Sequence, residues 1–262
     1  MMSIPADGTA ERWAWDLIHT TSLAAKLAPP GVPDCWETDA PARRLALPGR
    51  PAELRRVAKA PKTRGLGSAA GRARILHTFL HHELQAAELM AWALLAFPAA
   101  PRELRAGLVR IALDEVRHMG LYATHIERLG FRVGDFSVRD WFWERVPACT
   151  DTASFVATMG LGFESANLEH SAGFAARFRT AGDEEGARVQ ELVGREEIRH
   201  VRFGARWFVE LNGTLSFDAW KASLPPPLSP MLMRGHPLAR EARLRAGFSE
   251  EFLVALDAWQ PE

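Results

Sequence analysis

Cysteine is nearly absent from this chain. Only Cys35 and Cys149 occur, in no C-x-x-C arrangement, which excludes a disulfide framework and a thiolate zinc site. No apolar run is long enough to span a bilayer, because the longest candidates are broken by charge or histidine, so no membrane partner is expected. The N-terminus, MMSIPADGTAERW, has neither a basic n-region nor an uninterrupted apolar stretch before a small-residue cleavage site. A cytoplasmic location is the expectation that follows. Net charge is missing too, with 32 basic residues against 32 acidic ones.

That balance is uneven along the chain. Arg43 to Arg74 carries ten Lys or Arg and a single acid, Glu53. The simpler reading is a solvated segment wrapped over an acidic bundle. The sharper one is a docking patch for an anionic substrate or carrier, made by Arg43, Arg44, Arg55, Arg56, Lys59, Lys62 and Arg64. Nucleic acid is a disfavoured partner, because that segment has no interleaved stacking aromatics.

Residues 1–70 hold a short amphipathic stretch, Glu11 to Leu27, among proline-rich connections and read as an N-terminal extension. From Gly71 to Phe97 the apolar residues Leu76, Leu80, Ala87, Met90 and Leu94 recur at helical spacing until Pro98 stops them. Pro101 suits the start of a second helix, which runs to Gly130 and forms a tight antiparallel pair with the first. Residues 131–150 lack periodicity and read as a long connection. A third helix is expected over Asp151–Thr180, and Gly182 with Asp183 turns the chain into a fourth that ends near Asn212 and Gly213. Residues 71–213 therefore read as a four-helix bundle and 214–262 as a C-terminal extension with a short helix over Glu250–Trp259. The loops run short, long, short. That is two antiparallel hairpins joined by one long crossover, the connectivity of ferritin-like bundles, and the fold class is all-α.

The two hairpins repeat each other in their polar residues. The second helix holds Asp114-Glu115-Val116-Arg117-His118 and the fourth holds Glu196-Glu197-Ile198-Arg199-His200. Each is Glu-x-x-His, a spacing that puts both side chains on one helical face within reach of the same or neighbouring ions. One such motif is weak evidence, but two in register are strong. Helix one has Glu83 and Glu88, and helix three has Glu164 and Glu169. Counted from the turns, Glu83 lies at nearly the height of Glu115, while Glu88 is offset by about 6 Å. Height does not decide between Glu164 and Glu169, and the repeat with Glu83 favours Glu164. The expected metal ligands are Glu83, Glu115, His118, Glu164, Glu197 and His200. Four carboxylates and two imidazoles suit two divalent ions, with iron expected and a manganese–iron pair the alternative.

Around this set, Asp114 and Glu196 are expected to accept hydrogen bonds from the non-ligating nitrogens of the histidines. Tyr122 falls one turn after His118 on the same face, with a hydrogen-bonding or redox role less favoured than packing. Glu88 and Glu169, some 140° around their helices from the ligand glutamates, are expected to be exposed or to sit behind the ligands. His77, His81, His82, His125 and His170 lack counterparts in the other hairpin and are expected at the surface or in a polar core.

With these residues in place, the sequence resembles an uncharacterised bacterial ferritin-like family, a domain-of-unknown-function group among the dimetal-carboxylate proteins. The likeness runs from LPGRP through GRARILHTFLHHELQAAEL, LDEVRH, FESANLEH and EEIRH to ARLRAGFS, roughly residues 41–250. It departs at Glu169, where the family pattern has Asp. The resemblance implies a dimetal cofactor and leaves the reaction open. An O2-dependent oxidase or hydroxylase is the first expectation, since bulky flanks and the aromatic Trp141-Phe142-Trp143 connection can enclose a reactive site. Its partners would be an unidentified small-molecule or carrier-bound substrate and an external electron donor. The alternatives are a ferroxidase or iron-handling protein, and a non-catalytic metal-binding module. Oligomeric state stays open, a homodimer being one option.

Overall fold

The computed structural model describes residues 2–59 and 65–261. Lys62 and Arg64 of the basic segment lie outside the described residues. All named elements among the described residues are helical, with two isolated β-bridges, Thr9 to Cys35 and Arg56 to Val138. Among the described residues, no helix is long and apolar enough to cross a membrane. The chain divides into two compact units, Met1–Pro147 and Ala148–Glu262, and the boundary falls in the segment read from sequence as the long connection.

In the first unit, α1 (Ala10–His19) and α2 (Leu23–Leu27) precede a hairpin of two long helices, α3 (Ala69–Ala96) and α4 (Arg102–Arg128). Ser68 starts α3 by accepting a hydrogen bond from the Gly71 amide, and Pro98 ends it by excluding the helical conformation from the residue before. After α4, Gly130 takes φ +83°, a left-handed position that suits glycine. α3 is buried on nearly every side, because α4 packs on one face while α1 and residues 131–143 cover others.

A stripe of polar and aromatic residues on α3 fastens that cover. His77, His81, Gln85, Glu88 and Trp92 recur at intervals of three or four and so share a face. Trp92 donates from Nε1 to the Leu45 carbonyl at 2.9 Å. Gln85 Oε1 accepts from the Phe142 amide at 3.0 Å. His81 Nε2 lies 3.0 Å from Asp140 Oδ1, which also accepts from Arg50 Nε at 2.8 Å. Burial alone would raise the Asp140 pKa, but the His81 hydrogen bond and the Arg50 charge overcome it and hold the carboxyl at about 2.

Glu88 is the centre of this stripe. It is fully buried and accepts from Lys26 Nζ at 2.7 Å, Arg50 Nη1 at 2.5 Å and Trp143 Nε1 at 2.8 Å. Lys26 also donates to the Leu17 and Ile18 carbonyls at 2.6 and 3.0 Å, so one buried ammonium closes the end of α1 and neutralises Glu88. Desolvation holds the Lys26 pKa below its ordinary value against the pull of Glu88. Removing one partner of such a pair strands a buried charge, a cost of about 3–5 kcal/mol.

The second unit begins with α5 (Thr152–Phe155), capped by a reciprocal Asp151–Ser154 box. The helix continues through a π-helical stretch, Val156–Phe163, into α6 (Glu164–Thr180). Asp183 accepts from the Gly186 amide at 2.8 Å and starts α7 (Glu184–Asn212), which ends at Gly213 with φ +80°. α6 and α7 pack as the hairpin of this unit. Three short helices follow: α8 (Phe217–Ala222), α9 (Arg240–Ala246) and α10 (Glu250–Ala258). The Phe252 ring of α10 packs against those of Phe217, Trp220 and Phe248.

The unit-one cover has a measurable pH response. His77 Nε2 accepts a hydrogen bond from the Gly134 amide at 2.8 Å, so protonating that nitrogen breaks the contact. Burial first, then the charge of His81, pushes the His77 pKa down to about 4. The unfolded chain, with a histidine pKa of about 6.5, takes up the proton first, so stability falls as pH drops from about 6.5 towards about 4. Urea denaturation at pH 7 and pH 4.5 is expected to show wild type losing about 2 kcal/mol more than His77→Gln, whose amide oxygen can still accept from Gly134. Equal losses would contradict this role for His77.

Candidate metal centre

Each unit brings together one of the two triads marked by the repeat. In the first, Glu83 projects from α3, and Glu115 and His118 from α4. Glu115 and His118 are fully buried and Glu83 is 5% exposed. One ligand atom from each lies within 4.8 Å of the others, and His118 Nδ1 is 3.2 Å from Glu115 Oε2. In the second, Glu164 opens α6 while Glu197 and His200 sit on α7. All three are buried and again offer one ligand atom each within 4.8 Å of one another. His200 Nδ1 is 3.6 Å from Glu164 Oε2 and 3.4 Å from Glu197 Oε2.

The correspondence extends to details. In both triads the imidazole turns Nδ1 towards the carboxylates, which makes Nδ1 the nitrogen that would hold a metal and Nε2 the one left for an outer hydrogen bond. Asp114 pairs with Arg117 at 3.5 Å and Glu196 with Arg199 at 3.6 Å, the same contact in each motif. The donor set fits a divalent cation. Two carboxylates held this close in a buried place repel each other unless a proton or a cation intervenes, and an imidazole beside them completes an oxygen-and-nitrogen donor set that could hold a divalent metal ion.

The structure corrects the expectation that Glu88 and Glu169 could be exposed. Glu88 is held as described above. Glu169, in the second unit, receives Arg243 Nε on Oε1 at 2.8 Å, Arg243 Nη2 on Oε2 at 2.7 Å and the Ala239 amide on Oε1 at 2.7 Å. Both glutamates lie five residues beyond a triad glutamate, on a face that an extension covers, and each is paired with at least one cation from the extension of its own unit. Lys26, Arg50, Asp140 and Arg243 therefore belong to buried ion-pair networks that sequence reasoning missed. The spacing from His77 to Trp92 was a usable signal for the first three.

The other candidates are distributed as follows. Tyr122 is buried beside the Phe79 ring at 5.8 Å. His77, His81 and His125 are buried, His82 stacks on Phe142 at 5.0 Å, and His170 is exposed. The basic segment is only partly a surface. Arg43 is buried and grips Glu37 at 2.6 and 3.2 Å, because its guanidinium serves as an internal tie, and so it adds nothing to an anionic docking patch. Arg44 lies over the Phe97 ring at 4.9 Å. Arg55, Arg56 and Lys59 remain exposed.

Comparison with known proteins gives a family and no activity. A protein of Haemophilus influenzae described as "Uncharacterized protein" is 27% identical over 200 residues, which cover 72% of this chain and 69% of the relative. No solved structure matches the chain. A family model described as "Protein of unknown function (DUF455)" matches residues 9–254, a span that takes in both triads and both anchored glutamates, and the chain belongs to that family.

Proposed function

We propose that this protein is a dimetal-carboxylate oxidoreductase that holds one divalent ion per triad and uses the pair for O2-dependent oxidation or hydroxylation of an organic substrate. The observation that carries this reading is the occurrence of two equivalent buried triads, each with two carboxylates and one imidazole. Two carboxylates balance the charge of one divalent ion, so the two triads call for two ions. The hairpin repeat and the loop order support a ferritin-like four-helix arrangement around them. Iron is the proposed metal and a manganese–iron pair the alternative; when bound in reduced form, such ions supply the electrons that activate dioxygen.

The protein residues have separate tasks in this reading. Glu83, Glu115, Glu164 and Glu197 neutralise and hold the ions, and His118 and His200 complete their coordination through Nδ1. The anchored extensions keep water from the buried hairpin faces, which favours a reactive oxidant over a site built only to pass iron. An external donor would return the electrons. The exposed Arg55, Arg56 and Lys59 are the remaining surface for an anionic substrate or carrier.

Two results test the proposal. Metal-free Glu115→Gln and Glu197→Gln are each expected to be more stable than metal-free wild type by about 1 kcal/mol in urea denaturation, because each relieves carboxylate repulsion. A loss of stability in both would mean that the carboxylates are structural. Protein reconstituted with Fe(II) without oxygen and then exposed to it should show an oxygen-dependent absorption change while remaining a small oligomer by light scattering. A cage-sized particle filling with iron would establish storage instead.

A further inference from the structure

Glu164 stands at the junction where the π-helical stretch returns to α-helix. Its amide donates to the Met159 carbonyl, five residues back, so the ligand position is set by a π turn. A π turn carries an extra residue and is rarely stable without outside support. Closing it to α geometry would turn the preceding helix by about 100° relative to Glu164.

Support comes from the segment that follows α7. Trp220 is fully buried and donates from Nε1 to the Ala157 carbonyl at 3.0 Å, inside the π stretch. Arg243, also fully buried, donates from Nη2 to the Ser165 carbonyl at 3.3 Å, next to Glu164, and to the Met233 carbonyl at 2.5 Å while gripping Glu169. Between these two, Leu232 occupies the place where a side chain on Gly162 would go, since a Cβ there would meet it at 2.5 Å. On the opposite side, a Cβ on Gly204 of α7 would come within 2.7 Å of the Gly160 carbonyl, so the stretch is also pressed directly against the helix that carries His200.

We infer that Trp220 and Arg243 form a positioning clamp that holds the π turn open and thereby keeps Glu164 beside Glu197 and His200. The first half of this statement is independent of any metal, and the second rests on the proposed metal-binding reading. Neither residue is a ligand. Each acts through the backbone of the stretch that delivers one.

Two variants separate the clamp from general packing. Trp220→Phe keeps the ring and removes the donor. The double change Arg243→Met and Glu169→Met replaces the buried ion pair with apolar side chains of similar reach, a substitution that buried pairs commonly tolerate. Hydrogen exchange of the metal-free full chain is the first readout. Both variants should exchange about tenfold faster over residues 156–165, with α7 protected as in wild type. Mn(II) titration is the second, and binding at the Glu164 triad should weaken by about tenfold or more while the Glu83 triad is unaffected. Unchanged exchange in both variants overturns the clamp. Faster exchange with unaltered Mn(II) affinity overturns its positioning of Glu164. Faster exchange in a protein whose wild type binds no Mn(II) leaves the clamp standing and removes the metal reading.

Discussion

Two carboxylates buried within reach of each other on a helix pair raise the free energy of the fold unless a proton or a cation lies with them, and this chain builds that arrangement in each of its units. Glu83 and Glu115 beside His118, and Glu164 and Glu197 beside His200, occupy positions where apolar side chains would stabilise the hairpins at no electrostatic cost. The same geometry recurs in the same motif, down to the Nδ1 orientation and the flanking Asp114–Arg117 and Glu196–Arg199 pairs, and this repetition is what supports reading the acids as the proposed metal-binding set.

The extensions follow from that constraint. A helix that carries a charged cluster on one face needs strong packing on the others to remain fixed, and both units supply it by the same means with different residues. In the first, Glu88 gathers Lys26, Arg50 and Trp143. In the second, Glu169 gathers Arg243 and the Ala239 amide. These ties contribute little net stability, since desolvation of the ions offsets most of their attraction. They do tie each extension to a buried charge at a defined place on its hairpin.

The helices and the two clusters of buried acids and histidine were legible in the sequence for physical reasons. Pro98, Pro101, Gly130, Asp183 and Gly213 act locally, so their signals mark helix ends without knowledge of the fold. Glu-x-x-His, twice, places its side chains by helical geometry alone. The π stretch was not legible, because Val156–Phe163 is apolar and compatible with an ordinary α-helix, and the contacts that bear on it, from Trp220, Leu232, Arg243 and Gly204 of α7, come from distant parts of the chain. Arg43 and Arg50 read as surface charge because their acidic partners lie outside the basic segment, Glu37 six residues before Arg43 and Glu88 and Asp140 far along the chain from Arg50, and composition does not reveal such pairings.

The central claim is that each triad holds its own ion. It is tested most directly by counting metal in full-length protein reconstituted with Fe(II) without oxygen, for wild type and for His118→Ala and His200→Ala separately. The account predicts about two ions per chain in wild type and about one in each variant. A wild type that retains its fold and binds none, or variants that bind as much as wild type, would contradict it.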